Sequence, residues 1–152
     1  MLFATHLLVA WVIGRLSRLS ALWLVVGGAL PDALDKPLAA AGVVATYHSV
    51  GHSVLALAVV VPVALYDRRA LALVAGAASH HFLDAVHITL NGRPGNVLFL
   101  AWPLTTPTDP LGIPPGRFFV HYLGTPSFFL ETALWGSVLA LTAAQRLPST
   151  DS

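Results

Sequence analysis

The sequence predicts an all-α, polytopic helical membrane protein with about five apolar helices and a Pro/Gly-rich loop before the last. Three observations lead there. The chain is 56% hydrophobic and only 10% charged, whereas soluble domains carry about 25% charged residues. Its mean hydropathy is +0.75. Its apolar residues also fall into five runs, roughly 2–14, 19–31, 50–66, 70–90 and 127–145, each longer than an ordinary strand of about 5–6 residues. A length of 152 residues suits a single integral-membrane domain, 1–147, with a short polar tail at 148–152.

The first two runs have 13 residues each. They read either as short, tilted helices flanked by snorkelling arginines or as a re-entrant hairpin. "MLFATHLLVAWVIG" has no basic leader, and Arg15 and Arg18 follow the apolar run. That is the wrong order for a cleaved signal, so this segment is expected to be retained. The connection "PDALDKPLAAAGVVATYH", 31–48, comes next. The third to fifth runs have 17 to 21 residues, enough to cross about 30 Å of hydrocarbon at about 1.5 Å per residue. Between Asn91 and Pro126 lie "NGRPGN" and "WPLTTPTDPLGIPPG". Proline removes a backbone donor and glycine lowers helix propensity, so no spanning helix runs through this stretch. It is expected to fold over a membrane face, with Trp102 near the headgroups.

If all five runs cross, Arg15, Arg18, Arg68, Arg69 and Arg146 share one side, and Lys36, Arg93 and Arg117 the other. The positive-inside rule then makes the arginine-rich side cytoplasmic. A net charge of +1 without a basic patch gives no footprint for nucleic acid. With no cysteine, thiolate sites are excluded, and any metal must be held by imidazole nitrogen and carboxylate oxygen.

Such groups do cluster. In "SHHFLDAVH", His80, Asp84 and His87 are spaced i, i+4, i+7 and form one polar stripe, with His81 beside it. Ionisable residues within membrane segments usually face a bundle interior or a wet cavity. The plainer reading is imidazoles bonded to neighbouring helices or lying at the interface. In "YHSVGHS", His48 and His52 are one turn apart at the start of the third run, a helical His-x-x-x-His pattern or merely a polar helix start. Asp32 and Asp35 are three apart, as ligands or as turn and capping residues. His6 stands alone in "ATHLLVAW". The five-span topology brings all of these to the same, non-cytoplasmic face. That convergence favours a metal site over scattered interfacial histidines. His121 and Glu131 reach the same face and carry little weight as site residues.

The ordered motifs "TH", "GGALPDALD", "HSVGHS", "GAASHHFLD" and "WP", over about residues 5 to 103, resemble the YdjM-like family of predicted membrane-bound, metal-dependent hydrolases. Ser49 stands where that family often has Arg, and Lys36 where it has an apolar residue. The resemblance implies metal ligands at His6, Asp32, Asp35, His48, His52, His80 and Asp84. It also implies a zinc-type divalent cofactor and hydrolysis of an ester or phosphoester, with a membrane lipid as the natural substrate. Seven ligands exceed one tetrahedral zinc, so the set suits more than one ion or outer-shell carboxylates. Asp35 or Asp32 is the expected general base. The alternative is a non-enzymatic metal-binding or transport protein; a transport site would lie nearer the bilayer midplane.

Overall fold

The computed structural model describes residues 1–105 and 117–145. Arg146, the tail at 148–152 and the middle of the Pro/Gly-rich stretch lie outside the described residues. Every regular element among those described is helical: α1 (Phe3–Leu16), α2 (Ala21–Ala40), α3 (Val54–Ala64), α4 (Arg68–Leu90), a 3-10 segment (Pro94–Ala101), α5 (Phe118–Tyr122) and α6 (Pro126–Ala144). Two of them, α4 and α6, are long and apolar enough to cross a membrane by length and composition, while α1 and α3 are shorter apolar helices.

Local chemistry sets several boundaries. The Ser53 hydroxyl accepts from the Ala56 N–H at 3.1 Å and opens α3. The Asp67 carboxylate accepts from the Arg69 N–H at 2.6 Å and opens α4. Thr125 caps α6, with Pro126 at the first helical position, where its missing N–H costs nothing.

Two elements depart from the sequence expectation. The second apolar helix does not stop at Pro31. It continues to Ala40 with Pro31 and Pro37 inside it, so Asp32 and Asp35 sit on a helix rather than in a turn. Pro31 removes the N–H that would bond the Gly27 carbonyl, and the next carbonyl, that of Gly28, accepts from His80 of α4 at 2.7 Å. Interhelical bonding thus helps hold α2 where a proline weakens its own ladder. The third helix starts later than expected, at Val54. His48 and His52 therefore lie in the preceding turn, not one helical turn apart.

The framework is the α2–α4 pair, with α1 against α2 and α3 against α4. Ala10, Leu24 and Ala72 are fully buried where α1, α2 and α4 meet. Two glycines set the spacing of the pair. A Cβ at Gly27 would lie 2.0 Å from the Leu73 carbonyl oxygen, and one at Gly76 would lie 2.1 Å from that of Leu24. Backbones this close need small residues, as at membrane helix interfaces generally.

Candidate metal centre

Four segments converge on one polar cluster: α1 with His6, α2 with Asp32 and Asp35, the turn holding His48 and His52, and α4 with His80 and Asp84. All are buried except His48, whose side chain is 41% exposed.

His80 is fully buried. Its Nδ1 donates to the Gly28 carbonyl at 2.7 Å, which leaves Nε2 as a lone pair. That Nε2 lies 3.2 Å from Asp84 Oδ2 and 3.9 Å from Asp32 Oδ1. His6 repeats the arrangement. Its Nδ1 donates to the Leu2 carbonyl at 3.1 Å, and its Nε2 meets Asp84 Oδ1 at 3.1 Å. The His6 and His80 rings stack with centroids 3.9 Å apart. In His52, Nδ1 donates to Asp35 Oδ2 at 2.7 Å, and Nε2 faces Asp32 Oδ1 at 3.5 Å and Asp84 Oδ2 at 3.6 Å. His48 Nε2 approaches Asp84 Oδ2 at 3.9 Å from the exposed side.

Asp35 is placed differently from the other carboxylates. Its two oxygens accept from the Ser49 N–H and hydroxyl, the Gly51 N–H, and both the backbone N–H and Nδ1 of His52. The turn wraps this carboxylate tightly. A Cβ at Gly51 would lie 2.7 Å from the Pro31 carbonyl oxygen and 3.2 Å from Asp35 Oδ1. Asp35 thus stands behind His52, where it orients the ring, and not among the atoms that face the cluster. Ser49 is likewise buried behind His52. Asp32 faces the cluster through Oδ1, while its Oδ2 accepts from Lys36 Nζ at 2.6 Å.

Three groups of donors have ligand atoms within 4.8 Å of one another: His6, His80 and Asp84; Asp32, His52 and His80; and His48, His52 and Asp84. The donor chemistry fits a divalent cation. With Nδ1 of both His52 and His80 committed to acceptors, their neutral rings would present two lone pairs to each other at 3.2 Å. A positive charge between them removes that conflict, and nitrogen with carboxylate oxygen is a set that divalent metals accept. Asp84 offers Oδ1 toward His6 and Oδ2 toward His48, His52 and His80, so one carboxylate can serve two ions.

The other polar residues of the same region fall outside these groups. His81 is buried, and its Nε2 donates to the Gly51 carbonyl at 3.0 Å. His87 is buried one turn farther along α4, its ring 5.5 Å from that of Tyr122. The stripe expected on α4 is therefore shared between two neighbourhoods. His121 is exposed. Sequence reasoning missed the two carbonyls that hold His80 and His6. It also gave little weight to Glu131, which is buried and bonded to Leu2, Thr5 and Tyr122. Burial and the adjacent Glu131 carboxylate push the Tyr122 phenol above its ordinary value, so it remains a donor. The available signal for Glu131 was its place as the one glutamate of the chain, within an apolar run.

No family model, curated protein or solved structure matches the chain.

Proposed function

We propose that this protein is a membrane-bound, zinc-dependent hydrolase of ester or phosphoester bonds in lipids. The observation that carries the reading is the aim of the imidazoles. His6, His52 and His80 each have Nδ1 fixed by an acceptor and Nε2 turned to Asp84. Metal-ligating histidines are oriented in this way by outer partners. The ordered motifs that resemble the YdjM-like hydrolases support it as well.

His6, His48, His52, His80 and Asp84 would hold the metal, Asp35 would set the tautomer and basicity of His52, and Asp32 would stand beside the metal without ligating it. When bound, a zinc-type cation supplies Lewis acidity toward a carbonyl or phosphoryl oxygen. Asp32 is the better general base of the two aspartates nominated by sequence. Its Oδ1 has only the more distant Nε2 atoms of His52 at 3.5 Å and His80 at 3.9 Å near it among the ion pairs of the described residues, whereas both Asp35 oxygens are engaged by close donors. In hydrolysis Asp32 Oδ1 takes the proton of the attacking water and returns it to the leaving alkoxide as the ester bond breaks. Lys36, 54% exposed, holds the other Asp32 oxygen and keeps the carboxylate from turning away.

Detergent-purified protein is expected to contain close to stoichiometric or higher zinc and to cleave at least one lipid in a panel of esters and phosphoesters, with loss of turnover on chelation. Metal bound without cleavage across the panel would favour the metal-binding or transport alternative, and no bound metal would remove both.

The same proposal includes five membrane-crossing segments, with the cluster on the non-cytoplasmic side. Single cysteines can report this, because the chain has none. A membrane-impermeant thiol reagent applied to whole cells is expected to label a cysteine at position 40 and to spare one at position 68. The reverse pattern would invert the orientation.

A further inference from the structure

We propose that Glu131 is a positioning residue for the metal centre, clamping Leu2 so that the Leu2 carbonyl keeps His6 aimed at Asp84. This rests on the metal-centre reading above. The argument starts from an oddity of placement. Helix α6 is weakly packed, with Ser127 and Glu131 its buried residues. Yet it carries the chain's one glutamate, and that side chain is 4% exposed. An ionisable group in such a segment is costly unless its partners are specific and serve a purpose.

The partners are specific. One Glu131 oxygen accepts from the Leu2 N–H at 3.0 Å and from the Thr5 hydroxyl. The other accepts from Tyr122. Trp135, one turn along α6, donates from its indole to Thr5 Oγ1 at 2.9 Å. Leu2 and Thr5 flank the His6 anchor. Leu2 gives its carbonyl to His6 Nδ1 at 3.1 Å, and Thr5 is the residue before His6. Leu2 is also the N-cap of α1 and lies outside the helix; it has no side-chain cap of its own. The Leu2 carbonyl also accepts from the Thr5 N–H at 3.0 Å. Glu131 holds both residues of that turn at once, through the Leu2 N–H and the Thr5 hydroxyl, so without Glu131 the turn that presents the carbonyl to His6 loses its tie to α6. Glu131 touches none of the ligand groups, so it acts through His6.

Docking of α6 has an independent element, which makes a structural control possible. Asn91 and Ser127 exchange hydrogen bonds at 2.8 and 3.3 Å and join α6 to the end of α4 without involving Leu2.

The test uses the full chain in detergent, loaded with cobalt(II). It reads affinity by chelator competition and coordination by the d–d spectrum. Glu131→Ala is expected to weaken cobalt binding by roughly 10-fold or more and to alter the spectrum, in the range of outer-shell substitutions at metal sites. Glu131→Gln keeps an acceptor for the Leu2 N–H and is expected to restore most of the affinity. Ser127→Ala is expected to lower thermal stability while leaving affinity and spectrum unchanged. The decisive comparison is in a His6→Ala background, where Glu131→Ala should cost no further affinity. An equal loss with and without His6 would overturn the proposal and make Glu131 a general packing residue, as would an unchanged affinity in the single variant. Failure of the unaltered protein to bind cobalt would instead remove the metal centre itself, and this proposal with it.

Discussion

Asp84→Ala is expected to remove most of the bound metal while the helices still assemble. Asp84 is the one residue in the cluster within reach of four imidazoles: His6 at 3.1 Å, His80 at 3.2 Å, His52 at 3.6 Å and His48 at 3.9 Å. Removing it takes away a ligand from two of the three donor groups and leaves Asp32, already paired with Lys36, as the one carboxylate facing the imidazole Nε2 atoms among the described residues. The loss should exceed the roughly 10–100-fold typical of an outer-shell partner. Asp84→Asn keeps the shape and the acceptor oxygen toward His6 and removes the charge, so it should lose metal almost as completely. It should do so with a native helical spectrum and a monodisperse elution profile. His121→Ala, at an exposed position on α5, should keep its metal. Metal content by elemental analysis after gel filtration reads all three. Near-normal zinc in the Asp84 variants would mean that the imidazoles converge for some other reason, and the hydrolase reading would lose its chemical basis.

Gly76→Val is expected to act earlier, on the fold. Its Cβ would be placed 2.1 Å from the Leu24 carbonyl oxygen and 3.0 Å from the carbonyl carbon. Both atoms are backbone of the opposing helix, so no rotamer change relieves the overlap. The helices must separate by more than an ångström or lose their register. Overpacking in compliant cores costs about 1–3 kcal/mol, and an obstacle made of backbone should sit at or above the top of that range. The consequence reaches the cluster, because the bond between His80 Nδ1 and the Gly28 carbonyl spans this same interface. Thermal unfolding in detergent should shift down by many degrees, with metal lost in parallel. A comparable substitution at Gly136, where a Cβ meets nothing within 4 Å, should be tolerated. Equal stability of the two variants would contradict the close α2–α4 packing.

The helical class was legible because it depends on composition and run length, and these are properties of the chain alone. The pairing of His80 with Asp84 was legible for a similar reason, since i, i+4 on a helix is a local relation. What depended on other segments was hidden. Nothing local announces that α2 passes through Pro31 and Pro37, because the compensation comes from glycines and from a histidine of α4. The spacing of His48 and His52 suggested a helix. The backbone instead turns around Asp35, and the Gly51 position that permits this touches α2, far away in sequence. For the same reason Asp35 read as a ligand when it stands behind one. Glu131 was visible as an unusual residue, but its link to His6 runs through a backbone amide, which carries no sequence signal.

The cluster draws on four segments, and its longest bond, His6 to Asp84, joins residues 78 positions apart. This imposes an order on biosynthesis. When α2 emerges from the ribosome, its two aspartates have only Lys36 at hand, since the histidines that answer them come later. A nascent chain that ends before α4 already has the turn at 49–52 that answers Asp35, but it lacks His80 and Asp84, which close the cluster. Each of the three donor groups takes a member from α4, so a chain truncated before that helix is expected to keep the turn around Asp35 and to complete none of them.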